Sequence, residues 1–282
     1  MEILGICIIG IVILFCVVVW YSNEYLLVRE YEYVSSKVPK KLDGVRILHI
    51  SDIHSKRIGK KNCVLINKIN EINPDYIFMT GDIIDKREKN IEKVAYELKP
   101  IFNEYKVYYS MGNHERRLGY KNYCKYIEIL EKFGVNILKD SNMSLDGIES
   151  VNIVGLNFKD NIRHEEKNPK RLDRNLNYLK SKAGQICRDK LNILLAHDSL
   201  NFELYNKLGF DLIFSGHLHG GIIRFFNIGL LSTRRKLFPK YCHGKYIKNN
   251  STMFVSSGIG KATAPIRLFN NPEISVITFK NK

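Results

Sequence analysis

Five short polar clusters carry side chains able to bind a metal ion. They are Asp52-Ile53-His54, Gly81-Asp82-Ile83-Ile84-Asp85, Gly112-Asn113-His114-Glu115, a lone His197, and Gly216-His217-Leu218-His219-Gly220-Gly221. Each alone is weak, because Asp beside Gly after a strand is ordinary turn punctuation. Leaving His114 and Glu115 aside, they offer four imidazoles, two or three carboxylates and an amide oxygen, a mixed nitrogen and oxygen donor set suited to a pair of divalent ions. Along an extended strand end, residues i and i+2 face one side. Asp52 with His54, and His217 with His219, are thereby expected to converge. The glycines let the backbone turn sharply and come close to a ligand.

The elements that must position these clusters are short apolar runs, one before each cluster. Strands are expected at 45–50, 76–79, 107–110, 151–155, 192–196, 212–215, 253–256 and 274–279. Helical periodicity falls between them at 62–72, 91–102, 122–133, 175–182 and 202–207, with Asn73-Pro74 and Gly134 as stops. Alternating strand and helix predicts an α/β layer architecture with a mixed or second sheet. The clusters then lie beyond the carboxyl ends of the strands, where open α/β sheets place their sites.

The order Asp-x-His, Gly-Asp-x-x-Asp, Gly-Asn-His-Glu, lone His and Gly-His-x-His resembles the calcineurin-like metallophosphoesterases, over residues 45–279. Ser257-Gly258-Ile259-Gly260, Pro265-Ile266-Arg267 and Pro272-Glu273-Ile274 are similar to a membrane-anchored bacterial branch of that family. The resemblance implies two facing mixed β-sheets flanked by helices, an αββα sandwich. It implies two divalent metal ions, manganese, iron or zinc: Asp52, His54 and His219 would hold one, Asn113, His197 and His217 the other, with Asp82 bridging. It also implies direct attack on phosphorus by a hydroxide shared between the metals, with His114 serving the leaving oxygen and Asp85 orienting His114. For Asp85 the competing role is a helix cap. Lys86 or Arg87 stands where some relatives bind phosphate. Ile222 replaces a frequent Gln, so that contact is absent. His49 reads as a strand residue and His164 as a loop residue, and His243 as a surface loop histidine, with approach to the site as its alternative.

Residues 3–21 are 19 consecutive uncharged positions. As a helix at about 1.5 Å per residue they span about 28 Å, close to the ~30 Å hydrocarbon core of a bilayer. The amino-terminal Met-Glu lacks a cationic n-region and no small-x-small cleavage site follows, which favours an uncleaved single-pass anchor over a signal peptide. Residues 22–44 read as a juxtamembrane linker, and 45–282 as the phosphoesterase domain. Arg29, Lys37, Lys40 and Lys41 favour a cytoplasmic globule by the positive-inside rule, whereas short-tailed anchors also export their domains. Six cysteines without C-x-x-C spacing read as free thiols.

With 45% apolar residues, 7 Pro and 19 Gly, a disordered or collagen-like chain is excluded. The 44 Lys+Arg against 29 Asp+Glu give a formal charge of +15. No acidic residue occurs between Asp211 and Glu273, while Arg224, Arg234, Arg235, Lys236, Lys240, Lys245, Lys248, Lys261 and Arg267 do. Such a wall beside the metals would attract an anionic phosphate ester. A membrane surface is the second reading, and nucleic acid, with Phe238, Tyr241 and Tyr246 as stacking groups, ranks third. A lipid-linked diester or pyrophosphate leads as substrate. A nuclease or nucleotide phosphodiesterase of the same mechanism and a non-catalytic membrane binding protein are the alternatives.

Overall fold

A computed structural model describes residues 2–158, 162, 169–221, 223–225, 228–231, 237–261 and 267–282. Its strands, in chain order, are β1 (Leu27–Ser35), β2 (Arg46–Ile50), β3 (Tyr76–Thr80), β4 (Lys106–Ser110), β5 (Asn136–Leu138), β6 (Ser141–Leu145) and β7 (Ile148–Leu156). They continue with β8 (Leu191–Asp198), β9 (Leu212–Gly216), β10 (Ile223–Phe225), β11 (Ile228–Leu231), β12 (Gly244–Lys248), β13 (Ser251–Val255) and β14 (Glu273–Asn281). The helices are α1 (Glu2–Glu24), α2 (Cys63–Ile72), α3 (Ile91–Glu104), α4 (Asn113–Arg116), α5 (Tyr120–Lys132), α6 (Pro169–Ala183) and α7 (Phe202–Leu208).

One six-stranded sheet runs β1-β14-β2-β3-β4-β5 and the other β12-β13-β9-β8-β7-β6, while β10 and β11 form a separate ribbon. Within each sheet the central neighbours β2-β3-β4 and β7-β8-β9 are parallel. These strands are covered on both faces, which explains their unbroken apolar runs. The sheets face each other across Ile47, Phe78, Tyr108, Ile193, Phe214 and Phe254, all buried. Each such side chain contributes about 1.5–3 kcal/mol on burial. Helices α2, α3 and α5 cover the outer face of the first sheet, and α6 and α7 that of the second. In α3, Ile91, Val94, Ala95, Leu98, Ile101 and Phe102 make one buried stripe, and Asn90 caps its start by accepting from Lys93 N at 3.0 Å. The αββα expectation holds.

Residues 22–44 are not a linker. Nine positions of β1 pair in parallel with β14, and Tyr33, Val38 and Leu42 are buried. The strand escapes a search for apolar runs because it is an edge: Glu30 and Glu32 face outward while Tyr31 and Tyr33 pack inward. Strands β5, β6 and β12 were equally unexpected, being short or polar on one face. Helix α1 is long and apolar enough to cross a bilayer, and its apolar window is entirely exposed. The six cysteines are free.

Candidate metal centre

Three loops from the carboxyl ends of β2, β3 and β9, together with the last residues of β8 and α4 after β4, meet at one rim of the sandwich. The convergence of Asp52 with His54, and of His217 with His219, does not come from extended strand ends. Strand β2 stops at Ile50 and β9 at Gly216, and Asp52, His54, Asp82, His217 and His219 all have left-handed backbone, with φ between 50° and 77°. Non-glycine residues rarely adopt this region, and clusters of them accompany functional sites. The loops interlock to hold it: Asp52 N donates to Gly81 O, His54 N to Asp82 O, and Gly260 N to Asp52 O. Gly112 and Gly216 are required by close approach, since a Cβ on the former would collide with Asp82 and on the latter with the Asp52 carboxylate.

Three groups of potential ligand atoms result: Asp52 with His54 and His219, His54 with Asp82 and His114, and Asp82 with His197 and His217, each within 4.8 Å of one another. His54 Nε2 lies 3.1 Å from His219 Nε2, and His217 Nδ1 3.1 Å from His197 Nε2. Paired imidazole nitrogens at that distance oppose their lone pairs unless a proton or cation lies between them. Asp82 belongs to two groups, with its Oδ2 3.2 Å from His197 Nε2 and 3.7 Å from His54 Nε2. Asn113 is buried and its amide oxygen has no hydrogen-bond partner in the protein, as expected of an oxygen donor to a cation. The residues fit a pair of divalent ions.

The electrostatics agree. Burial opposes charge on Asp52, but His219, His197 and His54 outweigh it and hold the carboxyl well below the usual range. Asp82 is likewise held low, against burial, by His197 and His54. Burial works against a proton on His197 and on His54. The carboxylates nonetheless raise them to about 10 and about 9. Burial dominates at His219, which lies well below its ordinary value. These residues would exchange such protons for a divalent cation, whose binding would release them and weaken as pH falls.

The surrounding polar contacts fix these groups. His197 Nδ1 donates to Thr80 O at 2.7 Å, which turns Nε2 toward Asp82. Asp52 accepts from Ser51 Oγ at 2.5 Å and from His217 N at 3.0 Å. Glu115, given no role by the sequence reading, is fully buried. Its carboxylate accepts from the backbone N–H groups of Gly112, Asp82, Ile83 and Ile84 at 2.7–3.2 Å. It thereby shapes the turn that presents Asp82. The only sequence signal was its place after Asn113-His114.

His114 joins the site, its Nε2 3.9 Å from Asp82 Oδ2. Lys86 N donates to its Nδ1 at 3.1 Å, which leaves Nε2 to carry the proton of the neutral ring. Burial brings this histidine down to about 4. Asp85 lies 3.4 Å from His114 Nδ1 and 3.7 Å from His54 Nδ1. It is not the cap of α3, a role taken by Asn90. Arg87 grips Asp85 through Nε at 2.9 Å and is otherwise exposed.

Two sequence readings change. His243 is no surface histidine: its Nε2 is 2.8 Å from the buried Glu273 carboxylate, away from the proposed ligands. Among the described residues, the cations after Asp211 do not form a continuous unpaired wall. Arg224 and Arg267 are buried, Lys240 and Lys248 pair with Glu203, and Lys245 donates to Glu32 O. Glu203 supplies the counter-charge of the two lysines, while the contact of Lys245 is to a backbone carbonyl. Arg234, Arg235, Lys236, Ile222, His164 and Pro265-Ile266 lie outside the described residues. His49 is a core residue, bonded to Thr80 Oγ1 at 2.8 Å.

Comparison with known proteins places this rim in a family. An uncharacterized metallophosphoesterase of Campylobacter jejuni is 30% identical over 92% of the chain, which spans 66% of that relative's length. One of Aquifex aeolicus is 27% identical, over 93% of this chain and 94% of its own. A "transmembrane protein with metallophosphoesterase domain" of Danio rerio is 24% identical over 90% of this chain and 57% of its own. The sequence model of the calcineurin-like phosphoesterase family matches residues 45–221, and with these converging strand ends inside the match the chain belongs to that family of hydrolases, which act on phosphoesters with two divalent metal ions.

Proposed function

We propose that the protein is a single-pass, membrane-anchored phosphoesterase that cleaves a phosphodiester or pyrophosphate, with a lipid-linked ester as its substrate. The sharing of His54 and Asp82 among adjacent ligand groups carries this reading. Asp52, His54 and His219 would hold one ion and Asn113, His197 and His217 the other, with Asp82 between them. Bound there, the ions would supply charge at the phosphoryl oxygens and acidify the attacking water. The chain supplies position and a hydrogen-bond donor. His114, with Lys86 N at Nδ1, directs an N–H from Nε2 toward the rim, where it would donate a hydrogen bond to the leaving oxygen. Asp85 positions His114 and His54, and Arg87 holds Asp85. Residues 3–21 form the anchor, supported by their length, their exposure and the transmembrane character of the zebrafish relative's name. The nuclease reading loses support, because among the described cations between Asp211 and Glu273 Lys240 and Lys248 pair with Glu203, and Arg224 and Arg267 are buried.

Turnover of bis(4-nitrophenyl) phosphate by the manganese-loaded protein tests the assignment. His114→Ala and Asp82→Asn are each expected to lower it by more than about 100-fold. Unchanged turnover in both would refute it.

A further inference from the structure

The carboxyl end of α1 does not dangle above the globule. Asn23 Nδ2 donates to Arg267 O at 3.0 Å, and Arg267 N returns a bond to Asn23 Oδ1 at 3.2 Å. Phe269 N donates to Ser22 Oγ at 3.1 Å, and Asn271 Nδ2 to Tyr21 O at 2.8 Å. From the other side Lys56, two residues past His54, donates to Asn23 O and lies 3.6 Å from Glu24. A cation there also suits the negative end of the helix dipole.

The same segment braces the metal centre. Arg267 is buried, donates to Ser257 O at 2.8 Å and places Nη2 3.3 Å from His219 Nδ1. Asn270 Nδ2 donates to His219 O at 2.7 Å and to Gly221 O at 2.5 Å. One arginine side chain therefore separates the end of the apolar helix from a proposed metal ligand. Beside this clasp Phe269 is 57% exposed, next to Trp20 and Tyr21, and an apolar cavity of about 370 Å³ opens between the helix and the segment. Val17, Val18, Trp20 and Tyr21 line one wall and Phe269 the other. Trp and Tyr at a helix end are the side chains that settle at a membrane interface.

We infer that residues 17–22 of the helix and 267–271 form a lipid-contact surface that presents phosphoester headgroups of amphiphiles in the same leaflet to the metal centre. The occupant is an acyl chain because one wall of the cavity is the spanning helix itself, so the groove is continuous with the hydrocarbon around it. The rigid clasp sets the height of the rim above the bilayer, and a headgroup reaches the metals without its chain leaving the lipid. This inference rests on the anchored-phosphoesterase reading.

The test uses the full chain in phosphatidylcholine vesicles with two esters of the same chemistry, water-soluble methyl 4-nitrophenyl phosphate and membrane-resident hexadecyl 4-nitrophenyl phosphate. The unaltered protein should cleave the hexadecyl ester at least about tenfold faster than the methyl ester. A twelve-residue Gly-Ser insertion between Glu24 and Tyr25, spanning about 20 Å as a coil and combined with Ser22→Ala, Asn23→Ala and Asn271→Ala to release the clasp, should abolish that preference. The pair Trp20→Ala with Phe269→Ala should reduce the hexadecyl-to-methyl ratio about fivefold, a change that general misfolding does not produce. Equal rates on both esters in the unaltered protein, or a ratio untouched in both variants, would overturn the inference while leaving the phosphoesterase reading standing. No metal-dependent cleavage of either ester would overturn both.

Discussion

The two sheets bring different chemistry to the shared rim. The first, through the loops after β2 and β3 and through α4, delivers both carboxylates, Asp52 and Asp82, together with His54, Asn113 and His114. The second delivers imidazoles, His197 from β8 and His217 and His219 from the loop after β9. His54, Asp82 and His114 group within the first half, but the other two ligand groups join acids of one half to rings of the other, as when Asp52 and Asp82 raise His197. The halves are also supported differently. The carboxylate half is held by a buried acid, Glu115, collecting four backbone N–H groups, whereas the imidazole half is held by amide and guanidinium donors from residues 267–271. Charge complementarity across the sandwich thus ties the site to closure of the whole fold.

Removing each support should separate the halves, with the largest effect on the carboxylate side. Glu115→Ala leaves buried N–H groups without an acceptor, at about 1–3 kcal/mol each, and is expected to lower unfolding free energy by several kcal/mol in urea titrations. A loss under about 1 kcal/mol would mean that the Asp82 turn holds itself. On the imidazole side Asn270→Ala should cost about 10-fold to 100-fold in metal affinity, read by manganese titration, with a smaller loss of stability. Full affinity would show that His219 needs no such brace.

The smallest effect belongs to the network behind the imidazole half. Burial would raise Glu273, but His243, Arg224 and Arg29 outweigh it and hold the carboxyl at about 2, below its ordinary 4.5. The folded state thus favours the ionised form. Its contribution to stability is complete above pH 4.5 and lost as pH falls toward 2. Thermal melts of Glu273→Gln should therefore lie below those of the unaltered protein at pH 7, with the gap closing between pH 4.5 and 2. A gap independent of pH would assign the effect to packing.

Much of this was legible in the sequence where residue type and local order coincide. The strand cores at 45–50, 76–79, 107–110 and 192–196 are buried on both faces and announce themselves as apolar runs, and the polar clusters follow them directly. The gathering of the proposed ligands at one rim was foreseen, but its backbone was not. Left-handed Asp52, His54 and His219 depend on glycines and carbonyls from other loops, which no local pattern reveals. Strand β1 was read as a linker because an edge strand shows only every second residue to the core. Lys240 and Lys248 looked unpaired because their partner, Glu203, lies outside the acid-free stretch. Helix α1 was legible in length, whereas its clasp on residues 267–271 joins positions nearly 250 apart.

The central claim is that Asp82 joins two ion sites into one centre. Counting manganese bound per chain by mass spectrometry, in metal-loaded protein of verified fold, tests it most directly. Two ions are predicted in the unaltered protein and fewer than one in Asp82→Asn. Two ions retained by Asp82→Asn, or a single ion in the unaltered protein, would contradict it.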